Sequence, residues 1–476
     1  MSRVVSPAVS AGGGIVVAGG VGGLAVSLGD LADSAHRLDA VAAALAGVAL
    51  DVLGARLHPS LAVVSVLAPE LAVGVSVGFV GLAGPSGVGG EAVAAGALAR
   101  SVAEALEAYG TAEEGVERLV TTTELSVGLA VGATSPVLAP MGAVAVAAAG
   151  PERVDAWIHD HPWAVPAAAG GLPGAVYGMG LTVPFVAPMA ARRGVWPPRS
   201  HEDALAVVLA ATGGVVLDES GWSIRTVGGA PRRGSAPTSV RDLVADDGPT
   251  SGRGRVRVTR VEQPDGSGAW VVDIPGTQTF DPRPGPVPWD LTSNVGIEAG
   301  RPTLTTQAVT VALADAQRRM GGPGSASEPI LFSGHSQGGM TAAALAADPR
   351  VRRRFPGVSH VVTSGSPIAR KRIGPGVSVL ALEHRRDLVP ALEGADNPDR
   401  AGWVTVTRDV DLGEDGRATA AHDDALYAGT AGLVDAAAAP GEHADPSLRY
   451  WRERAEPFLG GGEARVVDYD VERVRR

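Results

Sequence analysis

The order of apolar and polar positions differs between the first 200 residues and the rest of the chain. From Leu31 to Val52 an apolar residue recurs at every seventh position, with charged residues on the other side. A second stretch of this kind extends from about Glu91 to Val120. This spacing predicts helices with one buried stripe, and two antiparallel helices can bury their stripes against each other. We therefore expect residues 1–200 to form a mainly helical, Ala- and Gly-rich domain.

After residue 200 the apolar residues occur in short runs instead, which predict buried or half-buried β-strands. The alanine-rich stretch from Met340 to Ala347 predicts a helix between two of these strands. Strands that alternate with helices favour an α/β fold with a mostly parallel sheet. The predicted strands cover 269–274, the run that starts at Ile330, 358–363, 377–382 and 403–407.

Charge density supports a boundary near residue 200. Residues 1–200 hold only 24 of the 91 charged residues, and Trp196–Ser200 contains two prolines that would break a helix. The predicted domains are therefore residues 1–200 and residues 201–476.

Composition excludes several classes of function. The chain has no cysteine, so neither disulfides nor thiol chemistry are available. Its net charge of −11 and the lack of a basic stripe argue against a nucleic-acid partner. Lys371 is its only lysine beside 39 arginines, which is typical of the coding bias of high-GC actinobacteria.

The most informative motif is Gly334-His335-Ser336-Gln337-Gly338, which follows an apolar strand and precedes a helix. Glycines two positions before and after Ser336 allow a tight, strained turn that exposes the serine Oγ. The following helix directs its first N–H groups towards a developing oxyanion. The alternative is an ordinary glycine turn, but the strand and helix around it favour a nucleophile.

A serine nucleophile requires a base and an acid, which follow it in the order acid, then histidine. Asp387 lies in the loop after the strand 377–382, and His422 opens a predicted helix after the strand 403–407. We expect these two residues to be the acid and the base. Glu383 is the competing acid, and His384 and His443 are the competing bases.

A second oxyanion donor is expected in the loop after an earlier strand. The strand 269–274 ends in Pro275-Gly276-Thr277-Gln278, where Gly276 permits close approach of the backbone to a ligand. The N–H groups of Thr277 and Gln337 could then bind the same oxygen atom. A plain Pro-Gly β-turn is the alternative.

In this order, IPGTQ, GHSQGG, the loop with Asp387 and the segment AHDDALY resemble the α/β-hydrolase superfamily, and IPGTQ before GHSQGG is similar to lipase class 3-like proteins. The resemblance covers about residues 205–476. It implies a serine esterase or lipase, with Ser336, Asp387 and His422 as triad and Thr277 and Gln337 as oxyanion donors. No metal or organic cofactor is expected, since the sequence contains no HExxH, paired-cysteine or P-loop motif. A hydrophobic acyl ester or lipid is the expected substrate.

The reaction type and the class of the protein stay open at this stage. A thioesterase or an acyltransferase would use the same residues. The alternative from another class is a hydrolase fold that serves as a binding or secretion scaffold.

Four uncharged stretches are long enough to raise the question of membrane contact. They cover residues 4–29, 71–90, 125–151 and 162–191, but they are rich in Ala and Gly. Buried or interfacial segments are therefore expected rather than membrane-spanning helices, and a surface with peripheral contact to lipid is the intermediate alternative. No signal peptide is recognised at the N-terminus.

Overall fold

Eleven strands form one mixed sheet in the computed structural model, in the order β1-β2-β10-β9-β8-β7-β6-β5-β11-β3, with β4 beside β11. The structure describes residues 9–11, 14–149, 151–212, 216–251, 254–322, 324–412, 417–441 and 444–476. The strands are β1 (Val9–Ala11), β2 (Ile15–Gly19), β3 (Trp222–Gly228), β4 (Arg232–Ser235), β5 (Arg255–Glu262), β6 (Gly268–Ile274), β7 (Ile330–His335), β8 (Val358–Ser364), β9 (Ser378–His384), β10 (Trp403–Arg408) and β11 (Glu463–Arg475).

Helices account for most of the remaining described residues. They are α1 (Leu24–Ala55), α2 (Pro59–Leu67), α3 (Pro69–Ala83), α4 (Val88–Ala149), α5 (Pro151–Asp160), α6 (Ala164–Gly170), α7 (Leu172–Thr182), α8 (Val186–Arg192), α9 (His201–Thr212), α10 (Val240–Ser251), α11 (Leu291–Glu298), α12 (Leu304–Met320), α13 (Gln337–Ala347), α14 (Pro349–Arg354), α15 (Asp424–Ala438), α16 (Pro446–Arg454) and α17 (Glu456–Leu459). Short 3₁₀ helices at Pro390–Glu393 and Ala418–His422 lie in loops that matter for the site.

The five central strands, β6 to β10, are parallel, and antiparallel strands flank them on both sides. Side chains of β6 alternate between the two faces of the sheet. Trp270 and Val272 pack in a core with α12 and α13, whereas Ala269 and Val271 pack in a second core with α10, α15 and α16. Helices therefore cover both faces, as a buried parallel sheet requires. The predicted α/β class is confirmed at this level.

The division of the chain differs from the predicted boundary at residue 200. The structure has one unit made of residues 25–119 and another made of residues 1–24 and 120–476. One reason is β2, which pairs antiparallel with β10 and so brings residues 15–19 into the sheet. The short apolar run at 15–18 contains no sign of a pairing partner almost 400 positions later in the chain.

A second reason is that the expected linker Trp196–Ser200 is packed. Trp196 stacks on Tyr177 of α7 with ring centroids 5.4 Å apart. Residues of α7, α8 and α9 share one small core, which contains Val176, Val186, Ala190, Ala204 and Val207. Helices before and after the two prolines thus bury each other, and the chain continues through this point within one unit.

The unit of residues 25–119 has a core of small side chains. In α1 and α4, buried alanines recur at heptad spacing, and a Cβ on Gly96 would lie 3.6 Å from the Cβ of Ala42. The buried alanines are Ala35, Ala42, Ala49, Ala92 and Ala99. Such residues allow close helix packing but remove little apolar surface from water.

Two helical segments in the described part of the chain are long and apolar enough to cross a membrane, Val26–Ala55 and Pro69–Thr134. The bent pair α7 and α8 would count as a third if it formed one broken span. Only 11% of either window is buried.

Candidate active site

Ser336 lies at the turn between β7 and α13 in a strained backbone conformation, with φ 54° and ψ −121°. Few residues other than glycine adopt such a positive φ, and an observed case often marks a functional site. The flanking glycines are required by the packing of the turn. A Cβ on Gly334 would lie 2.4 Å from the carbonyl carbon of Gly338, and a Cβ on Gly338 would lie 2.1 Å from the Ile274 oxygen.

Asp387 and His422, the predicted acid and base, are hydrogen-bonded. Nδ1 of His422 lies 2.7 Å from Oδ2 of Asp387, and the carboxylate is buried. Asp387 belongs to the loop after β9, and His422 ends the 3₁₀ helix that precedes α15. With Nδ1–H donated to Asp387, the Nε2 atom of His422 can accept a proton.

The imidazole of His422 lies against the turn that carries Ser336. The ring of His335 is 4.3 Å from it, centroid to centroid. On another side is Gly365, whose Cβ, if present, would be 2.9 Å from Nδ1 and Cε1 of His422. The N–H of Ser336 donates to the carbonyl of Ser364, the residue before Gly365, at 2.9 Å. The serine and the histidine therefore approach the same few atoms of backbone.

Asp387 is held by two further donors. The hydroxyl of Tyr427 donates to its Oδ2 at 2.7 Å, and the N–H of Val389 donates to its Oδ1 at 2.9 Å. Burial, together with the charge of Asp387, raises the pKa of Tyr427 well above its ordinary value, so the phenol keeps its proton and remains a donor. Tyr427 was not predicted, although it stands in the segment AHDDALY five positions after His422.

His384, one of the competing bases, supports His422 instead. Its Nδ1 lies 2.7 Å from the carbonyl of Ala421, and its Nε2 lies 2.8 Å from the hydroxyl of Thr430. Its ring stacks on Tyr427 with centroids 3.8 Å apart. Burial lowers the pKa of His384, which favours its neutral form. His443, the other competitor, lies outside the described residues.

Glu383, the competing acid, points into different surroundings. Its Oε1 accepts a hydrogen bond of 2.6 Å from the amide of Asn397. Enclosure by protein raises the pKa of Glu383 to about 7, with smaller contributions from Asp396 and Asp387. A carboxyl group that is half protonated near neutral pH is a poor partner for stabilising a histidinium ion.

His335 has a partner of its own next to His422. Its Nδ1 lies 2.6 Å from Oδ1 of Asp424, and this close contact lowers the pKa of Asp424. The side chain is buried, and among the residues that the structure describes its Nε2 has no hydrogen-bond partner. The pair therefore holds the His335 ring as one wall of the His422 site.

The predicted oxyanion residues lie next to the serine turn. Gly338 contacts the end of β6, and this contact brings the 275–277 loop beside α13. Asn294 donates to the hydroxyl of Thr277 at 3.1 Å, and the amide of Gln337 donates to the carbonyl of Asp290 at 3.3 Å. Gln337 is buried and is the first residue of α13, so its N–H is free of helical partners.

Two helices that precede the parallel strands in the chain contact the loops of the site. The carboxylate of Asp155, in α5, accepts hydrogen bonds of 3.2 and 2.8 Å from the N–H and hydroxyl of Thr419. Nε2 of His159 is 2.8 Å from Arg386, the neighbour of Asp387. The 3₁₀ helix Pro390–Glu393 is approached by α6, since a Cβ on Gly394 would lie 2.5 Å from the nitrogen of Gly170. A helical segment that precedes the parallel strands in the chain therefore contacts the loops that carry Asp387 and His422.

Comparison of the chain with protein-family models, with curated proteins and with solved structures found no match. Among the described residues, no group of three or more His, Asp or Glu side chains is arranged to hold a metal ion. The geometry of the site therefore carries the functional argument alone.

Proposed function

We propose that this protein is a serine hydrolase that cleaves carboxylic esters, with a fold of the α/β-hydrolase type and a likeness to lipase class 3-like proteins. One observation carries the proposal: a strained serine turn lies against a histidine that is hydrogen-bonded to a buried carboxylate. A nucleophile, a base and a group that orients the base form the constellation of covalent acyl transfer.

In the proposed reaction, Nε2 of His422 takes the proton of Ser336 as Oγ attacks the ester carbonyl. Asp387 keeps the Nδ1–H tautomer and stabilises the histidinium that forms. Tyr427 and Val389 saturate the carboxylate with hydrogen bonds, which fixes its orientation towards His422.

The tetrahedral oxyanion would be held by the N–H groups of Gln337 and Thr277. The N-terminus of α13 adds the positive end of its helix dipole at the same point. His422 then protonates the leaving alcohol, and water repeats the sequence on the acyl-enzyme, which restores Ser336.

The proposed substrate is an ester of a hydrophobic acyl group. A thioester substrate or an alcohol acceptor in place of water would use the same residues, so acyl preference has to be measured. The alternative from another class is a scaffold that has lost activity, but a scaffold has no physical need for a strained serine backed by a saturated carboxylate.

The test is labelling by a fluorophosphonate probe, which phosphonylates an activated serine, with hydrolysis of p-nitrophenyl esters of several acyl lengths in parallel. Wild type should be labelled and active, and Ser336→Ala should be neither. Ser327 is an exposed serine outside the site, so Ser327→Ala should behave like wild type. The profile over acyl lengths would then define the acyl preference.

A folded wild type that is inert to the probe and to all esters would contradict the proposal and favour the scaffold. Labelling that persists in Ser336→Ala would place the nucleophile elsewhere. Circular dichroism of each variant separates these results from unfolding.

A further inference from the structure

A group of large apolar side chains is exposed between the two long helices of the unit 25–119. We name residues 57–90, which contain α2 and α3, the apolar tip. Leu57 is 87% exposed, Val66 82% and Leu67 78%. Leu71, Val73, Val77 and Leu82 are exposed as well. Soluble proteins rarely leave so many contiguous apolar side chains in water unless a partner covers them.

The apolar surface surrounds both helices of the tip. All nine residues of α2 are described and none is buried, and among the fifteen described residues of α3 only Ala72 is buried. A protein partner covers one face of a helix, and the other face is then polar. Helices that are apolar on every side suit a surrounding of lipid chains instead.

Charged residues are nearly absent from the tip and frame its ends. Between Pro59 and Gly90 the only charged residue is Glu70, whereas residues 91–119 carry eight. Arg56 precedes the tip, His58 is its second residue, and Glu91 follows it. Glu70 lies in the first turn of α3, where the helix dipole favours a carboxylate.

The length of the helices limits how deeply they can insert. At about 1.5 Å per residue, α3 is about 23 Å long and α2 about 14 Å, and each is shorter than the hydrocarbon core of about 30 Å. The two long helices α1 and α4 carry charges along their exposed sides, such as Asp30, Asp33, Glu104 and Glu107. Insertion therefore fits the tip alone, from one side of the bilayer.

We propose that residues 57–90 insert into one leaflet of a lipid bilayer and anchor the protein there, with Arg56, His58 and Glu91 at the level of the headgroups. The unit 25–119 has eleven acidic and four basic residues, so attraction to anionic lipid is not the driving force. Binding should be strong on neutral phosphatidylcholine, and it should persist in high salt. This inference does not depend on the activity of Ser336.

The chain lacks cysteine, so one introduced cysteine gives a unique site for an environment-sensitive dye. Leu67→Cys in the tip and Glu113→Cys in the charged part of α4, both exposed, would be labelled in the full chain with the fluorophore NBD. On addition of phosphatidylcholine vesicles, the dye at position 67 should shift to the blue and be quenched by doxyl-labelled lipid. The dye at position 113 should not change. Equal responses at both positions, or none, would overturn the proposal.

Flotation with vesicles of the same composition tests the tip independently of a label. The double variant Val66→Asp/Leu67→Asp should lower the membrane-bound fraction by about tenfold or more, because two charges must enter the apolar layer. Val116→Asp, an exposed apolar position outside the tip, should bind as wild type. Unchanged flotation of the double variant would contradict insertion.

A second copy of the chain is the other partner that would cover the apolar tip. Sedimentation in the absence of lipid tests for such a dimer. A monomeric wild type supports lipid as the partner. A dimer that the double variant disperses would mean that the tip pairs with itself, and the proposal would fall.

Discussion

The sheet unit buries its large apolar side chains, whereas the helical unit 25–119 exposes them to solvent. In the sheet unit, Trp270, Phe332 and Tyr427 are fully buried, and the buried carboxylate of Asp387 has three hydrogen-bond donors. In the helical unit the core consists of alanines, and leucines such as Leu57 and Leu67 face outwards. Buried, saturated polar groups are typical of a preorganised site, whereas exposed apolar groups require an external partner. Under the two proposals, the first unit carries the chemistry and the second carries the attachment.

The largest effects should come from the proposed triad. His422→Ala should lower kcat for an activated ester by roughly 10⁶-fold, and Asp387→Asn by roughly 10⁴-fold, since orientation is only part of the work of the base. Steady-state hydrolysis of p-nitrophenyl esters measures both. His36→Ala, at an exposed histidine of the helical unit, should leave kcat unchanged. A loss for His36→Ala as large as that for His422→Ala would end the assignment of chemistry to the sheet unit alone.

Truncation of a large apolar side chain should lower the free energy of unfolding in the sheet unit but not in the unit 25–119. Trp270→Ala removes a fully buried ring and leaves Glu328 without its indole donor, which should lower the free energy of unfolding by about 3–5 kcal/mol. Leu67→Ala removes no buried contact, and its effect should stay within about 0.5 kcal/mol.

Denaturation in urea gives both values. All eight tryptophans lie outside residues 25–119, so indole fluorescence follows the sheet unit and far-ultraviolet circular dichroism follows both units. A cost above 2 kcal/mol for Leu67→Ala would show that the tip is packed in solution, against its exposure.

Gly365→Ala should damage the site more than the fold. The residue has φ +60°, and its Cβ would lie 2.9 Å from the His422 ring and 3.0 Å from Oδ2 of Asp387. Since a displacement of about 1 Å in a catalytic group can cost roughly 100-fold, kcat should fall by that order. Gly266→Ala is the control, because Gly266 has φ +83° and no atom within 4 Å of its Cβ position. If both variants lose activity equally, backbone strain rather than contact with His422 is the cause.

Much of the sheet could be predicted because parallel strands buried on both faces are continuous apolar runs, and β6 to β10 were placed within about two residues of their positions. The neighbourhood of Asp387 and His422 followed from the rule that the carboxyl ends of parallel strands meet at one edge. Their catalytic roles remain predictions.

Other features left no local signal in the chain. The pairing of β2 with β10 joins residues nearly 400 positions apart. The need for glycine at 365 arises only when the loops of Asp387 and His422 meet there. The contact of Asp155 in α5 with Thr419 likewise joins residues 264 positions apart.

Glu383→Gln should change how stability depends on pH. The folded protein keeps the proton of Glu383 up to about pH 7, whereas the unfolded chain releases it near 4.5, so the free energy of unfolding of wild type falls between these values. Glutamine carries no charge at any pH and can still accept from Asn397. At pH 8 the variant should be more stable than wild type by about 1–3 kcal/mol, and at pH 4 the two should be equal.

Urea denaturation at pH 4, 6 and 8 measures this difference. Glu113→Gln, at an exposed position of the helical unit, should not alter the pH dependence. If Glu383→Gln leaves the pH dependence of stability unchanged, Glu383 is ionised in the folded protein.

Tyr427→Phe should have the smallest effect on kcat and stability. It tests directly how Asp387 is oriented towards His422. The variant loses the hydrogen bond to Asp387 but keeps the ring that stacks on His384, so stability should fall by about 1 kcal/mol. Asp387 would still bind His422 with one donor fewer, and kcat should fall about three- to tenfold. Tyr469→Phe, which loses a hydrogen bond of 3.0 Å to Asp315, should cost similar stability without a change in kcat. Equal kcat values for the two variants would mean that the third donor on Asp387 stabilises the fold and contributes nothing to the orientation of His422.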